Sequence, residues 1–496
     1  MNQKYLLAIQ VFALMLLAGC EKRLDLAPVS NPSTSTFYKD ANGAAAAVTA
    51  CYAALQGDMY GIEAILTPTT VAADDGVPFL TGNADRRALW SYTFSTNNNW
   101  SSSPWTWCYI AIQRCNVAIE RIPGIGMDDN LIKRYVAEAK FIRAMMYFNL
   151  VRFYGGVSLV TKETLSTSQE EINVPRSSLD EVYTLIENDL KDIENTLPTT
   201  YTGIDKGRVT KGAAKGLLAK VYLTRAGNNA SSPYWAQAAA KAKEVIDLNV
   251  YDLWANFKDV FEKVNRGGKE SVFEIMFSTD VSGNFHSSYW TPRGDPRVPF
   301  NGFGTIRPTK SLYDLFAPAD ARRNVTFLHS YVNSNTGATV NLTIDNPNAA
   351  LAISFDKLTD LASKVYGGGG KSFPYMRFSE ILLVYAEALN ESNGSPTSDA
   401  YNAVNRIRQR AGLANLISGL SRAQFRDSVI TERRKELAFE GHRWFDLVRT
   451  GVLLPAVNAE TSFGRNPQIK PHHILFPIPL REMGANPALV QNPGYN

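Results

Sequence analysis

Apolar residues recur with the 3.6-residue period of an amphipathic α-helix along most of the chain. In the segment 131–154, for example, Tyr135, Ile142 and Met146 fall on one stripe, and the pattern stops at Gly155. Similar stripes end at glycine, proline or polar residues elsewhere. The pattern predicts helices at 41–56, 105–122, 131–154, 178–197, 210–226, 234–248, 378–391 and 399–410.

Two of these segments share an internal register. Ala139 precedes Tyr147 by the same spacing as Ala214 precedes Tyr222, and a second helix follows each of them. Small residues facing large aromatic residues at fixed offsets are typical of helix hairpins that stack into a solenoid. We therefore predict an all-α fold, a tetratricopeptide-like superhelix of helical hairpins.

A different pattern fills the middle of the chain. Residues 250–375 are rich in glycine, proline, asparagine and aromatic residues, with one strand-like run at 271–277. Such a stretch predicts a large irregular, loop-rich face laid over the helical scaffold. Long loops in compact proteins are usually functional or disordered.

The N-terminus carries a targeting pattern. A cation at Lys4 precedes an apolar run over 5–17, and the run closes in Leu17-Ala18-Gly19-Cys20. The apolar run is too short for a membrane-spanning helix and is typical of a secretory signal. Small residues directly before Cys20 indicate a bacterial lipoprotein. In such a protein Cys20 is lipidated and becomes the first residue of the mature chain. The alternative is an ordinary signal peptide that happens to precede a buried cysteine.

These patterns divide the chain into four parts. We predict a signal peptide at 1–19, a lipidated tether rich in proline, serine and threonine at 20–36, and two regions at 37–250 and 251–496. The last two regions should pack as one globular unit.

The composition of the chain limits its fold, its partners and its disulfides. The chain has 496 residues, 45% of them hydrophobic, which predicts a sizeable core. Its 51 basic and 47 acidic side chains are nearly balanced, so nucleic acid is not an expected partner. With Cys20 lipidated, Cys51, Cys108 and Cys115 remain, an odd number that excludes a complete disulfide framework. Cys108 and Cys115 share one predicted helix and cannot bridge each other.

No catalytic or cofactor motif is complete. The glycine run at 367–370 lacks the glycine of a phosphate loop at Val365, and Gly302-Phe303-Gly304 lacks a third glycine at Arg307. The adjacent His472 and His473 are more typical of a surface pair than of a zinc site. We therefore expect no enzyme activity, no cofactor and no bound metal.

Several short runs of the sequence are distinctive. The most specific is ERRKELAFEGHRWFDLVR at 432–449; AKFIRA at 139–144, FYGGVSLV at 153–160, LFPIP at 475–479 and NPGY at 492–495 add to it. The runs 105–116 and 174–176 belong to the same set. Together these runs extend nearly from end to end of the chain, and they resemble the SusD/RagB family of Bacteroidetes.

The resemblance implies a non-enzymatic, lipid-anchored nutrient-binding protein of the outer membrane, facing the extracellular side. Members of the family deliver oligosaccharides, or peptides in some branches, to a SusC-like TonB-dependent outer-membrane barrel. Oligosaccharide is the ligand that we favour, and a peptide on the same scaffold is second. A surface enzyme or a structural protein is a distant third.

The C-terminal signature has a structural interpretation as well. Glu432, Glu436 and Glu440 are four residues apart, so on one helix they would repel each other. We expect nearby arginines to neutralise them and to dock the segment onto the scaffold, the candidates being Arg433, Arg434, Arg443 and Arg449.

The ligand site is predicted on loops, in residues 74–100 and 284–304, because exposed rings on loops have no core to fill. Trp100 is the strongest candidate, since asparagines and serines surround it in the sequence. The predicted ligand contacts are Asp74, Asp75, Arg86, Trp90, Asn99, Trp100, Tyr289, Trp290 and Arg293.

Overall fold

The computed structural model of the protein describes residues 37–279 and 282–495. The predicted signal peptide, Cys20 and the tether lie outside the described residues. In the described part of the chain there is no helix of the length and apolar character that a membrane crossing requires.

The described ranges contain 18 α-helices. Eight of the nine that are longer than ten residues correspond to those predicted from periodicity, and the ninth, Arg422–Glu436, was not among the predicted helices. In chain order the 18 helices are α1 (Ala41–Ala53), α2 (Leu66–Val71), α3 (Ala84–Ser91), α4 (Asn99–Arg121), α5 (Asp129–Tyr154), α6 (Gln169–Ile172), α7 (Leu179–Ile193), α8 (Lys211–Ala226), α9 (Tyr234–Ile246), α10 (His286–Trp290), α11 (Lys310–Tyr313), α12 (Arg323–Thr326), α13 (Phe378–Asn393), α14 (Ser398–Arg410), α15 (Arg422–Glu436), α16 (Arg443–Arg449), α17 (Leu453–Ala459) and α18 (Leu480–Ala485).

Eight short strands form four two-stranded antiparallel sheets in the same ranges. Most of them lie in the middle segment, which is therefore more ordered than its composition suggested. The pairs are β1 (Gly76–Pro78) with β3 (Ile306–Pro308), β2 (Ser271–Ile275) with β8 (Phe373–Arg377), β4 (Phe327–Leu328) with β7 (Ser354–Phe355), and β5 (Ser330–Val332) with β6 (Thr339–Asn341).

Successive long helices pack against each other and build a superhelix. Helix α1 packs on α4 and α5, and the contacts continue from α5 to α7, α8, α9, α13 and α14. Ala139, Ala214 and Tyr147 are fully buried, and Tyr222 is only 3% exposed. The shared register therefore marks equivalent packing positions, and the predicted tetratricopeptide-like all-α fold is confirmed.

Local signals set several helix ends. Helix α7 begins with the expected capping box, in which Ser178 and Glu181 exchange side-chain and backbone hydrogen bonds. Helix α5 ends at Gly155, whose φ of 75° suits glycine better than any residue with a Cβ atom.

Helix α4 begins six residues before the predicted start. The sequence pattern was interrupted by Pro104, which cannot donate a backbone hydrogen bond. The Tyr154 hydroxyl lies across this break: it accepts from the Trp105 N–H at 3.1 Å and donates to the Ser101 carbonyl at 2.7 Å. Asn98 caps the true start. A side chain from α5 thus allows the helix to run through the proline.

The core is centred on α5, where the C-terminal segment meets the repeats. The Phe153 ring stacks on Phe476 with 5.2 Å between centroids and also contacts Trp444 and Phe445. Trp444, Phe445 and Phe476 belong to the C-terminal runs of the family signature. Their rings therefore pack the C-terminal segment and α5 into one core.

The prediction that Arg433, Arg434, Arg443 and Arg449 neutralise the signature glutamates was wrong. Helix α15 ends at Glu436, and Glu440 lies in the following turn, where Phe439 has a φ of 60°. The three carboxylates are buried and pair with cations from distant segments. Glu432 pairs with Arg322 and Arg408, Glu436 with Arg322, Arg377 and Arg410, and Glu440 with Arg377 and Lys357.

These pairs form one buried network. Burial alone would raise the pKa of Glu436, but Arg410, Arg377 and Arg322 outweigh it and hold this pKa well below its usual range. The signature arginines neutralise other carboxylates instead. Arg433 pairs with Glu380 and Asp446, Arg449 with Glu387 and Asp446, Arg434 with Asp74 and Asp75, and Arg443 with Asp74.

The three remaining cysteines are buried and free. Cys108 and Cys115 both lie on α4, as predicted. Burial raises the pKa of the Cys108 thiol and, together with the neighbouring Cys51, that of Cys115. The Cys108 and Cys115 thiols therefore stay protonated in the folded protein, and burial keeps reagents away from all three cysteines.

Candidate functional site

A buried carboxylate joins the two segments that were predicted to carry the site. Glu63 follows the π-helical turn Asp58–Ile62 and is completely buried. It accepts hydrogen bonds from the Trp290 indole N–H at 3.1 Å and from the Thr305 hydroxyl at 2.6 Å, and it forms an ion pair with Arg86. Residues 74–100 and 284–304 therefore meet at Glu63. An isolated glutamate outside any motif offered no sequence signal for this role.

Trp100, which covers the buried Arg86, forms the first part of the surface above Glu63. The Arg86 guanidinium carbon lies 4.5 Å from the centroid of the Trp100 ring, within the range of a cation–π contact. The Trp100 indole N–H donates to the Asn83 side chain at 3.1 Å. Trp100 was expected on an isolated polar loop. It lies instead in the first turn of α4, partly exposed and held in a fixed orientation.

A cluster of aromatic side chains forms the second part. Tyr289 contacts Phe303 at 5.4 Å between centroids, and Tyr366 contacts Phe285 at 4.7 Å and Phe300 at 4.8 Å. The Tyr289 and Tyr366 hydroxyls are 3.5 Å apart. Tyr366 and Phe300 are 41% and 69% exposed, so two large rings face solvent side by side.

The backbone that presents Phe300 is strained. Phe300 and Asn301 both have left-handed φ values, 60° and 56°, which L-residues with side chains rarely adopt. Gly302 follows with a φ of 55°, and a Cβ there would lie 2.2 Å from the Pro292 carbonyl oxygen. Strain of this kind persists where the surrounding structure enforces it, often at ligand sites.

Arg293 and Phe79 lie between these two parts. The exposed Arg293 guanidinium is 4.6 Å from the Phe79 ring centroid. The Phe79 N–H donates to the Thr305 carbonyl at 2.9 Å, which continues the pairing of β1 with β3 and places Phe79 beside Glu63. We call the set Phe79, Trp100, Tyr289, Phe300 and Tyr366 the aromatic surface.

Asp74 and Asp75 are occupied within the fold. Arg443 binds both oxygens of Asp74, at 2.7 and 2.8 Å, and Arg434 donates to Asp75 at 2.7 Å. Burial favours the neutral form of Asp74, but Arg434 and Arg443 outweigh it and lower its pKa to about 2. Burial raises the pKa of Asp75. These carboxylates attach α15 and α16 to the start of β1 and do not face solvent.

Two of the predicted tryptophans also belong to the interior. Trp90 is 9% exposed and lies beside Arg465, which donates to the Trp90 carbonyl at 3.0 Å. Trp290 is 2% exposed and stacks on His286 at 4.2 Å. Asn99 is exposed, and its backbone N–H donates to Asp85. The structure therefore groups Trp100, Tyr289 and Arg293 at the surface and places Arg86 and Trp290 beneath them.

No group of three or more histidine, cysteine or acidic residues within 37–279 and 282–495 has the arrangement of a metal site. The aromatic surface offers rings, hydroxyls, amides and the exposed guanidinium group of Arg293. Such a set can hold a neutral, hydroxyl-rich ligand by stacking and hydrogen bonds.

The stacked helical hairpins and the loop-rich face define the class: this is a tetratricopeptide-like helical-repeat protein. Within that class the chain belongs to the SusD/RagB family. The model of the SusD family matches residues 269–495, and the model described as starch-binding, associating with outer membrane, matches residues 24–223.

Relatives of known sequence match over almost the whole length. A SusD-like protein of Formosa agariphila is 28% identical over 98% of each chain, and one of Bacteroides ovatus is 28% identical over 91% of this chain and 83% of its own. Among solved structures, a laminarin-binding SusD-like protein is 27% identical with a TM-score of 0.78, covering 92% of this chain and 100% of that one. Surface glycan-binding protein A from Bacteroides uniformis is 26% identical with a TM-score of 0.77, covering 91% and 99%.

Proposed function

We propose that this protein is a cell-surface glycan-binding protein that captures an oligosaccharide on the aromatic surface. The observation that carries the proposal is the pair of exposed rings, Phe300 and Tyr366, held beside Tyr289 and joined through Glu63 to Trp100. A pyranose has an apolar C–H face that stacks on such rings, and hydroxyls at its rim that match the exposed Arg293 guanidinium.

The comparisons support a saccharide as the ligand. The family model that matches the N-terminal half is described as starch-binding, and one structural neighbour is described as laminarin-binding. Both polysaccharides are neutral glucans, so stacking and neutral hydrogen bonds suffice to recognise them. The near balance of acidic and basic residues in this chain agrees with a neutral ligand.

Calorimetry with laminarin- and starch-derived oligosaccharides tests the site directly. Trp100→Ala, Tyr289→Ala and Phe300→Ala should each weaken binding by about 1–3 kcal/mol, the scale of a well-packed aromatic contact. Trp254→Ala is the matched control, because Trp254 is also a partly exposed tryptophan but lies outside the aromatic surface. If all three variants bind as the wild type does, the site lies elsewhere. Binding of peptides and of no saccharide would contradict the glycan proposal.

The membrane anchor belongs to the same proposal. Association with the outer membrane is a property of the matched family, and we propose that Cys20 supplies it here through covalent lipid. One acyl chain binds a membrane only marginally, so stable anchoring requires the several chains of a processed lipoprotein cysteine. A radiolabelled fatty acid should mark the wild type and not Cys20→Ala. Label retained in the variant would disprove lipidation at this residue.

Delivery to a SusC-like TonB-dependent barrel completes the proposed function. Stable complexes of this kind bury more than about 2,000 Å² and survive detergent extraction. Affinity purification from solubilised outer membranes should recover a barrel protein with the wild type. Repeated recovery without a barrel would count against delivery and leave glycan capture unaffected.

A further inference from the structure

A second cleft lies beside the aromatic surface, between α4 and the start of α18. Its volume is about 370 Å³, within the usual range for small-ligand sites. We call it the Trp107 cleft and define it by Asn97, Asn99, Ser103, Thr106, Trp107 and Arg481. None of these residues takes part in the cluster around Glu63.

The lining of the cleft is polar around one ring. Trp107 packs partly against the core, and its remaining surface opens into the cleft. The Ser103 hydroxyl donates to the Asn99 carbonyl at 2.7 Å, which leaves the hydroxyl oxygen free to accept. Arg481 is exposed and has no ion-pair partner among the described residues. The lining therefore combines one ring with hydroxyls, amides and a cation, a set that suits the apolar face and the hydroxyl groups of a saccharide.

Helix geometry connects the cleft to the aromatic surface. Trp100 and Trp107 are seven residues apart on α4, so their side chains leave the helix in directions that differ by about 20°. At 1.5 Å per residue their positions are separated by roughly 10 Å along the axis. Asn99 lines the cleft and neighbours Trp100 in sequence. A bound chain can therefore extend from one ring to the other along the same side of α4.

We infer that the Trp107 cleft is a second saccharide subsite, which takes further units of a glycan whose other units stack on the aromatic surface. This inference rests on the proposed glycan-binding function and extends it to longer chains. Two connected subsites make the affinity depend on chain length, because a longer oligosaccharide contacts both rings while a short one occupies only the aromatic surface.

The test is a length series of laminarin- and starch-derived oligosaccharides, from disaccharides upward, titrated into the mature protein. Trp107→Ala removes the ring, and Thr106→Arg fills the cleft from an exposed position. Both variants should bind the longest oligosaccharides about tenfold more weakly than the wild type. Trp107→Phe, which keeps a ring, should recover most of the affinity, and Trp254→Ala should change nothing.

The pattern across lengths separates the two proposals. Disaccharides should bind Trp107→Ala and the wild type alike, whereas Trp100→Ala should weaken every length. If Trp100→Ala weakens binding but Trp107→Ala and Thr106→Arg bind long chains as the wild type does, the second subsite is refuted and glycan capture stands. If the wild type binds no oligosaccharide of any length, both proposals fall. Thermal melting confirms that each variant is folded.

Discussion

Replacing Glu63 by glutamine should both destabilise the fold and disrupt the aromatic surface. The Glu63 side chain is fully buried, and the Arg86 side chain is 7% exposed. Glutamine keeps an oxygen that can accept from Trp290 and Thr305, so the variant tests mainly the loss of charge. It leaves the buried Arg86 guanidinium without a carboxylate, because Glu63 is its only ion-pair partner within the described ranges.

The expected cost follows from that burial. Removing one member of a buried ion pair costs about 3–5 kcal/mol, since the remaining charge has lost both water and its counterion. We therefore expect Glu63→Gln to lower the free energy of unfolding by about 3 kcal/mol or more. Arg86→Met in the same chain removes the unpaired charge and should recover part of the loss. A double-mutant cycle isolates this coupling energy.

Urea unfolding followed by tryptophan fluorescence provides the measurement, and oligosaccharide calorimetry under native conditions provides the second readout. Asp247→Asn is the matched control, because it breaks the exposed ion pair with Lys243 and should change stability little. If the free energy of unfolding of Glu63→Gln is within about 0.5 kcal/mol of the wild-type value, Glu63 does not hold the two segments together and the argument for the site fails.

Three further predictions concern pH, strain and thiols. Burial raises the pKa of Glu274 to about 7, from an ordinary value of 4.5, so the folded state binds more protons than the unfolded state between these values. The stability of the folded state should therefore fall as pH rises through this window. Glu274→Gln should be more stable than the wild type at pH 8 by up to about 3 kcal/mol, and its stability should depend less on pH. An unchanged dependence of stability on pH would contradict the raised pKa of Glu274. Phe300→Gly should be about 1 kcal/mol more stable than Phe300→Ala by thermal melting, because only glycine adopts a φ of 60° without strain, and equal stabilities would show that the loop carries no such strain. Ellman's reagent should react with none of Cys51, Cys108 and Cys115 in the folded protein and with three thiols after unfolding if Cys20 is lipidated, whereas rapid reaction of the folded protein would contradict their burial.

The helical scaffold was largely predictable, and its errors have local causes. Periodicity identified eight of the nine long helices because burying one face of a helix leaves a repeating mark on the sequence. The start of α4 was missed because Pro104 normally stops a helix, and the Tyr154 hydroxyl from α5, which bridges the Trp105 N–H and the Ser101 carbonyl beside the proline, has no signal in the sequence of α4. The same limit applied to the candidate site. Trp90 and Trp290 have the same residue type as Trp100, yet they are buried, since burial depends on what packs above a loop.

The sequence by itself determined most of the helices, the resemblance to the SusD/RagB family and the segments 74–100 and 284–304, which contain every member of the aromatic surface except Tyr366. These are local properties, carried by periodicity and by short motifs. Only the tertiary structure decided which charges meet. Glu436 pairs with Arg322 and Arg377, from segments 114 and 59 residues away, and not with the neighbouring arginines of its own motif. Long-range pairing of this kind, like the joining of Trp290 and Arg86 by Glu63, follows from how the hairpins stack and leaves no pattern along the chain.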